Sequence, residues 1–279
     1  MYELKRSLPS GEGRLQDFGR MEMEYQTILT EQNGSVLKVL FNNPEKLNAL
    51  TDTFLQEYTD LLNKIDSNDE VQVVILTGSG KAFIAGADIT LMRTMKPAEA
   101  AEYSKVTTEV YRRMEVSKKI FIAAINGFAF GGGCEMTLAC DLRIASKKAK
   151  MGLPEVGLGI FPGGGGTQRL PRLIGAAKAK ELIYTAKTIT AQQAYDIGLL
   201  NEVCEPEELD TKAEEMAAAI LKNSGSAVSL AKESINNGMQ SDIISAMNLE
   251  KNLFALCFGT DDQIEGMNAF VEKRKANFK

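Results

Sequence analysis

Four short apolar runs constrain this chain more than any other feature: SVLKVLF (35–41), VQVVILT (71–77), KIFIAAI (119–125) and DLRIAS (141–146). Rich in Val, Ile and Leu, they read as strands. Between the first two lies TDTFLQEYTDLLNKID, where Leu50, Phe54, Leu55, Tyr58, Leu61, Leu62 and Ile65 recur at helical spacing and predict one buried helix stripe. Strands alternating with amphipathic helices predict a layered α/β core.

From TITAQQAYDIGLL onward the strand signal stops, and helices are expected at PEELDTKAEEMAAAILKN, SAVSLAKESINNG, SDIISAMNLEKNLFALCF and TDDQIEGMNAFVEKRK. Thr190, Ser241 and Thr260 are the expected N-caps. The reading divides the chain into an extension over 1–22, a core over 23–190 and a helical region over 191–279. The apolar faces of that last region must pack on the core or form subunit contacts, and the sequence leaves both open.

With 279 residues the chain can bury a large core. Its net charge of -5 gives no general basic surface for nucleic acid. Cys134, Cys140, Cys204 and Cys257 form no CxxC pair, and without histidine they make no mixed zinc site; they read as reduced thiols. No apolar run approaches the ~20 residues of a membrane span, and the first residues lack the apolar stretch of a secretory signal. Acidic residues in that segment argue against a transit peptide and for a flexible extension. The expected location is the cytoplasm, or the mitochondrial matrix in a eukaryote.

The absence of histidine also removes the usual hydrolytic triads, so proton transfer must rest on carboxylates, Lys, Tyr or Cys. Two nucleotide motifs fail: a P-loop in TGSGKAF would need glycine at Ile75 and a hydroxyl at Ala82, and Pro162 interrupts a dinucleotide reading of GLGIFPGGGG. Helix geometry accounts better for NGFAFGGGCE. The first N–H groups of a helix have no internal partner, and glycines leave them bare. A helix starting within Gly131 to Gly133 would aim the Gly132 N–H at an oxygen gaining negative charge, and the turn IAGAD would supply the Ala87 N–H as second donor.

Glu135 then falls in the first turn of an apolar helix, and Glu155 in the apolar stretch MGLPEVGLG. Burial could tune them as an acid and base pair. The plainer alternatives are a Glu135 that complements the helix dipole and a Glu155 that pairs with a cation such as Arg169. Lys273, Arg274 and Lys275 read either as a solvated helix end or as an anion site.

Taken in order, NNPEKLNAL, KAFIAGADI, AAINGFAFGGGCEMTLACDLRIAS, GLPEVGLGIFPGGGGTQRLPRLIG and EGMNAFVEKRKANFK resemble the successive signatures of the enoyl-CoA hydratase/isomerase family, the crotonase superfamily, from about residue 24 to the C-terminus. The resemblance is to its short-chain hydratases. It implies a crotonase-like spiral of ββα units with a C-terminal helical trimerisation region, and a homo-oligomer, a trimer or a hexamer built as a dimer of trimers. It implies a coenzyme A thioester as substrate, with no metal and no separate cofactor, no nucleic acid and no membrane. The implied reaction is reversible syn-addition of water to a trans-2-enoyl-CoA, a step of fatty acid metabolism such as β-oxidation.

By the same resemblance Ala87 and Gly132 hold the thioester oxygen, Glu135 deprotonates water, Glu155 exchanges the α-carbon proton and the Gly163 N–H helps to hold the water. Coenzyme A would be bound by Lys46, Leu47, the stretch of Ala85, Ala87, Asp88 and Ile89, and Lys273. Three residues depart from the family pattern: Leu153 replaces a common Gln, Thr90 a common Lys, and Phe161 is bulkier than usual. The alternatives are a double-bond isomerase on the same scaffold and an RNA-binding homologue, the latter opposed by the shortness of KKAK (147–150) and KAKE (178–181).

Overall fold

Hydrogen bonding turns the predicted runs into two sheets in the computed structural model, which describes residues 25–278; the expected extension over 1–22 lies outside the described residues. The larger sheet holds β1 (Ile28–Asn33), β2 (Val36–Phe41), β3 (Val73–Gly78), β5 (Ile120–Ile125), β7 (Leu142–Ser146) and β10 (Glu202–Cys204), in that order. The smaller holds β4 (Ala82–Ile84), β6 (Phe128–Phe130), β8 (Lys150–Gly152) and β9 (Ile189–Thr190). β1 runs antiparallel to β2; from β2 to β10 the pairings are parallel. After β1 and β2, which both join the large sheet, three successive turns of chain, β3–β4, β5–β6 and β7–β8, each give one strand to the large sheet, the next to the small sheet, and then helix. This is the ββα spiral.

The helices between these strands are α1 (Asp52–Ser67), the short α2 (Ile89–Met92), α3 (Pro97–Val116), α4 (Gly132–Ala139), α5 (Gly166–Ile174), α6 (Ala176–Tyr184) and α7 (Ala191–Asp196). After β10 follow α8 (Leu209–Leu221), α9 (Gly225–Gly238), α10 (Ile243–Cys257) and α11 (Asp261–Val271). Side chains alternate across β3, so Val74 and Leu76 join the core under α1 and α3 while Val73 and Ile75 meet Leu209, Ala213 and Ala217 of α8. A sheet covered on both faces explains why its central strands read as unbroken apolar runs.

Three expectations need correction. Leu50 is not on the α1 stripe: Thr51 caps that helix by accepting from the Phe54 N–H, and Leu50 forms an isolated parallel bridge with Ala87. Strands do not stop at residue 190, because β10 pairs with β7 and extends the core sheet into the region expected to be wholly helical. The cap of α10 is Asp242, whose carboxylate accepts from the Ile244 and Ser245 N–H groups, rather than Ser241. Thr190 and Thr260 cap α7 and α11 as expected.

Beyond the packing of α8, a buried cation ties α9 to the core. Lys232 of α9 donates to Met114 O, Lys119 O and the Asp141 carboxylate at 2.7–2.9 Å. By contrast α10 and α11 expose Ile243, Ile244, Met247, Phe254, Phe270 and Val271, with Phe270 85% exposed. Among the described residues no helix is long and apolar enough to cross a membrane.

Candidate active site

α4 begins at Gly132, with Gly131 as its cap. Gly131 has φ +51° and ψ −126°, a conformation that only glycine adopts readily, and a β-carbon there would lie 3.3 Å from Glu155 Oε1 and 3.7 Å from Gly86 Cα. Three loops therefore converge at this point. Gly132 N–H, first in the helix, has no carbonyl within the helix to meet, and the positive end of the helix dipole lies there. At the far end of α4 the buried Arg143 guanidinium donates to Thr137 O and Cys140 O, which answers the negative end.

The second expected donor, like Gly132, lies beside Leu50. Leu50 N–H donates to Gly86 O and Asp88 N–H to Leu50 O, so both flanking groups point toward Leu50. In a parallel bridge the intervening residue turns its own N–H the other way, which leaves Ala87 N–H free of this pairing. Leu50 also fills the space beside Gly132 with its side chain. One residue thus braces both donors.

Glu135 is buried, 2% exposed. Its Oε1 accepts from Gly164 N–H and Gly166 N–H, both at 2.8 Å, across the turn that leads into α5. Burial raises its proton affinity above the usual carboxylate range, and these two N–H groups, with the Arg169 charge beyond them, oppose that rise only in part. The carboxylate sits in the first turn of α4, yet its hydrogen bonds go to this distant turn. Complementing the dipole is only part of what it does.

Glu155 opens a 3-10 turn over Glu155–Leu158. Its Oε2 is buried without a hydrogen-bond partner. Burial, and to a smaller degree the neighbouring Glu135 charge, push its pKa up to about 7, against a modest opposing pull from its own backbone N–H. Pairing with Arg169 does not occur, because Arg169 is engaged by Glu115 at 2.6 and 2.8 Å. Leu153, where a polar side chain was the family expectation, is 1% exposed and packs beneath Gly166, so it offers Glu155 no partner.

Gly163 lies in the same turn as the two donors to Glu135, its carbonyl held by the Ser104 hydroxyl at 2.6 Å. The residues expected to hold coenzyme A fall into two groups. Lys46 ends a 3-10 turn, Leu47 follows it with φ +51°, and Ala85 N–H donates to Leu47 O at 3.1 Å, so these segments are directly joined. Asp88 caps α2, which starts at Ile89; its carboxylate accepts from Thr90 N–H and, at 2.5 Å, from the Thr90 hydroxyl, which holds the Asp88 pKa down. Lys273 lies past the end of α11 with φ +56°, exposed, and its backbone N–H donates to Phe270 O at 3.3 Å. No hydrogen bond or ion pair among the described residues joins it to the other candidates. Phe161 is 67% exposed at the rim.

Sequence reasoning missed α3 and Asn48. Ser104, Thr108, Tyr111 and Glu115 share one face of α3, at spacings of four, three and four. From it Tyr111 donates to Gly132 O at 2.7 Å, while Ser104 and Glu115 hold the Gly163 turn and Arg169. Such a row reads in sequence as a solvated face. The buried Asn48 accepts from Asn43 N–H and donates to Ser79 O and Ala82 O, which fixes the Lys46–Leu47 turn against the β3–β4 corner. Its signal was φ +57° at an Asn after a turn, which sequence shows only as a composition preference.

The bare start of α4, the Ala87 bridge and two carboxylates withdrawn from water come together in a ββα spiral, an arrangement suited to receiving negative charge on an oxygen and to moving protons beside it. The chain belongs to the enoyl-CoA hydratase/isomerase family, whose sequence pattern matches residues 31–279. It is 49% identical over 257 residues to the crotonyl-CoA hydratase of Syntrophomonas wolfei, covering 92% of this chain and 99% of that one. It is also 49% identical to the short-chain-enoyl-CoA hydratase of Clostridium acetobutylicum, covering 91% and 97%. The crystal structure of an enoyl-CoA hydratase from Bacillus anthracis superposes with a TM-score of 0.88 at 42% identity, covering 91% of this chain and 99% of that one.

Proposed function

We propose that this protein is an enoyl-CoA hydratase that adds water reversibly to short trans-2-enoyl-CoA thioesters. The observation that carries the reading is the unlike setting of its two carboxylates: Glu135 Oε1 accepts two backbone N–H groups, while Glu155 Oε2 is buried with no partner and burial brings Glu155 to about 7. One pair can then hold a single proton near neutrality.

In this mechanism Glu135 takes a proton from water as its oxygen bonds to the β-carbon. The double-bond electrons move toward the thioester oxygen, where the Ala87 and Gly132 N–H groups receive the developing charge. Glu155 delivers its proton to the α-carbon. The pair begins and ends with one proton, transferred from Glu155 to Glu135, and exchange with solvent resets it. Charge is stabilised by backbone N–H groups throughout, so the chemistry calls for no metal or redox group. Gly163 N–H helps to hold the attacking water.

Coenzyme A is bound, in the same reading, along Lys46, Leu47 and the segment from Ala85 to Ile89. The exposed apolar faces of α10 and α11 are of the kind subunit contacts cover, which supports a homo-oligomer; the family resemblance makes it a trimer or hexamer in this reading. Mixing the purified protein with crotonyl-CoA tests the function: loss of the enoyl-thioester absorbance with formation of 3-hydroxybutyryl-CoA is expected. No loss, with isomerisation of a 3-enoyl-CoA instead, would replace the hydratase by the isomerase.

A further inference from the structure

Arg169 belongs to α5 and never touches the space between the two glutamates, yet its surroundings are unusually well defined. Its side chain is 14% exposed and forms a two-pronged pair with Glu115 of α3, Nε to Oε1 at 2.6 Å and one terminal nitrogen to Oε2 at 2.8 Å. The other terminal nitrogen donates to Gly164 O at 2.8 Å. The guanidinium lies against Gly165, where it takes the place a β-carbon would need, and the φ of +103° there also favours glycine. Glu115 fixes the fork, and the fork fixes the turn.

That turn is the one whose Gly164 and Gly166 N–H groups meet Glu135. On either side of the Gly164 N–H, the neighbouring carbonyls are anchored elsewhere: Gly163 O by Ser104, and Gly164 O by Arg169. With both carbonyls drawn away, the N–H groups are left directed at the carboxylate. We propose that Arg169, locked by Glu115, is a positioning residue for Glu135, which both orients the Gly163–Gly166 turn and sets a cation beyond that turn, beside the general base. The proposal rests on the hydratase reading for the role of Glu135, and not for the geometry.

The charged and titratable groups facing Glu135 come from every neighbouring element: Tyr103 and Tyr111 of α3, Cys134 of α4, Glu155 from its 3-10 turn and Arg169 of α5. Burial raises Tyr103, Tyr111 and Cys134, to about 12 for Tyr103 and Cys134, so these stay neutral and Arg169 is the only cation of the group. Removing it must raise the proton affinity of Glu135. Neutralising Glu115 instead leaves the Arg169 charge uncompensated and must lower it. A merely structural pair would disturb both variants in the same direction.

The test is the pH profile of crotonyl-CoA hydration for wild type, R169M and E115Q, with R169M/E115Q as the variant that leaves no unpaired charge behind. R169M is expected to lower kcat at least ~10-fold with little change in KM, as misplacement of a base does. Its acid limb should move up by about one pH unit. E115Q should move the limb down, and the double variant should fall between the two. A limb that stays in place in R169M, or that moves the same way in R169M and E115Q, overturns the proposal. Carboxyl carbon-13 titration of Glu135, assigned with E135Q, reads the same shifts without turnover. A wild type inactive on crotonyl-CoA that nevertheless shows them would sink the hydratase reading and leave this one standing.

Discussion

Leu50 Cδ1 stands where the β-carbon of any side chain at Gly132 would have to go. Gly132→Ala therefore forces either Leu50 or the start of α4 to shift, and the N–H proposed to face the thioester oxygen shifts with it. Loss of such a donor costs ~10²–10³ in kcat. The double variant Gly132→Ala, Leu50→Ala restores the space and should recover part of that loss. Crotonyl-CoA turnover checks both, and wild-type kcat in Gly132→Ala would remove Gly132 from the proposed pair of donors.

A shared proton on Glu135 and Glu155 predicts a bell-shaped profile of kcat/KM against pH. The alkaline limb falls where the pair loses its proton, near the Glu155 value of about 7, and the acid limb where a second proton adds to the pair. Hydration takes up no net proton, so the limbs must coincide for hydration and for dehydration of 3-hydroxybutyryl-CoA. Rates measured in both directions across pH 5 to about 9 test this. An alkaline limb absent below about 9 would contradict the role of Glu155.

The same group carries a stability signature. The folded protein holds the Glu155 proton up to about 7 and an unfolded chain only to about 4.5, so ionisation at this site lowers stability progressively as pH rises between those values. Below about 4.5 the effect is absent, and above about 7 it is complete. Glu155→Gln removes the burdened charge. Its melting temperature should equal that of the wild type near pH 4.5 and exceed it at pH 8; a constant difference at all pH values would contradict the assignment.

Lys232 fastens α9 to the core. Lys232→Met leaves the buried Asp141 carboxylate without its cation, at a cost of about 3–5 kcal/mol. Asp141→Asn in the same chain removes the stranded charge and should recover much of this. Urea unfolding at fixed protein concentration measures both. A loss below about 1 kcal/mol in the single variant, the size of an exposed pair, would show that the contact fastens nothing.

What the sequence made legible follows from burial. β2, β3, β5 and β7 stand in the middle of the large sheet and show as apolar runs; β4, β6, β8 and β10 are three residues each, too short to show a period. β1 is an edge strand whose TEQN half is polar, so it looks like a loop. Leu50 fitted the helical spacing of α1 by coincidence, because an apolar residue just before an N-cap keeps that period while pointing from extended backbone. At the site, the bare helix start was readable because glycine and a nearby carboxylate lie within five residues. The bonds from Gly164 and Gly166 to Glu135, and from Glu115 to Arg169, span 29, 31 and 54 positions, and nothing local in the chain encodes them.

The central claim is that two carboxylates with different tasks carry one hydration. It is tested most directly by kcat for crotonyl-CoA in Glu135→Gln and Glu155→Gln, each checked for an unchanged oligomeric state and far-ultraviolet circular dichroism. Both should fall by ~10² or more, as when a general acid or base is lost. Near-normal turnover in either variant would contradict the account.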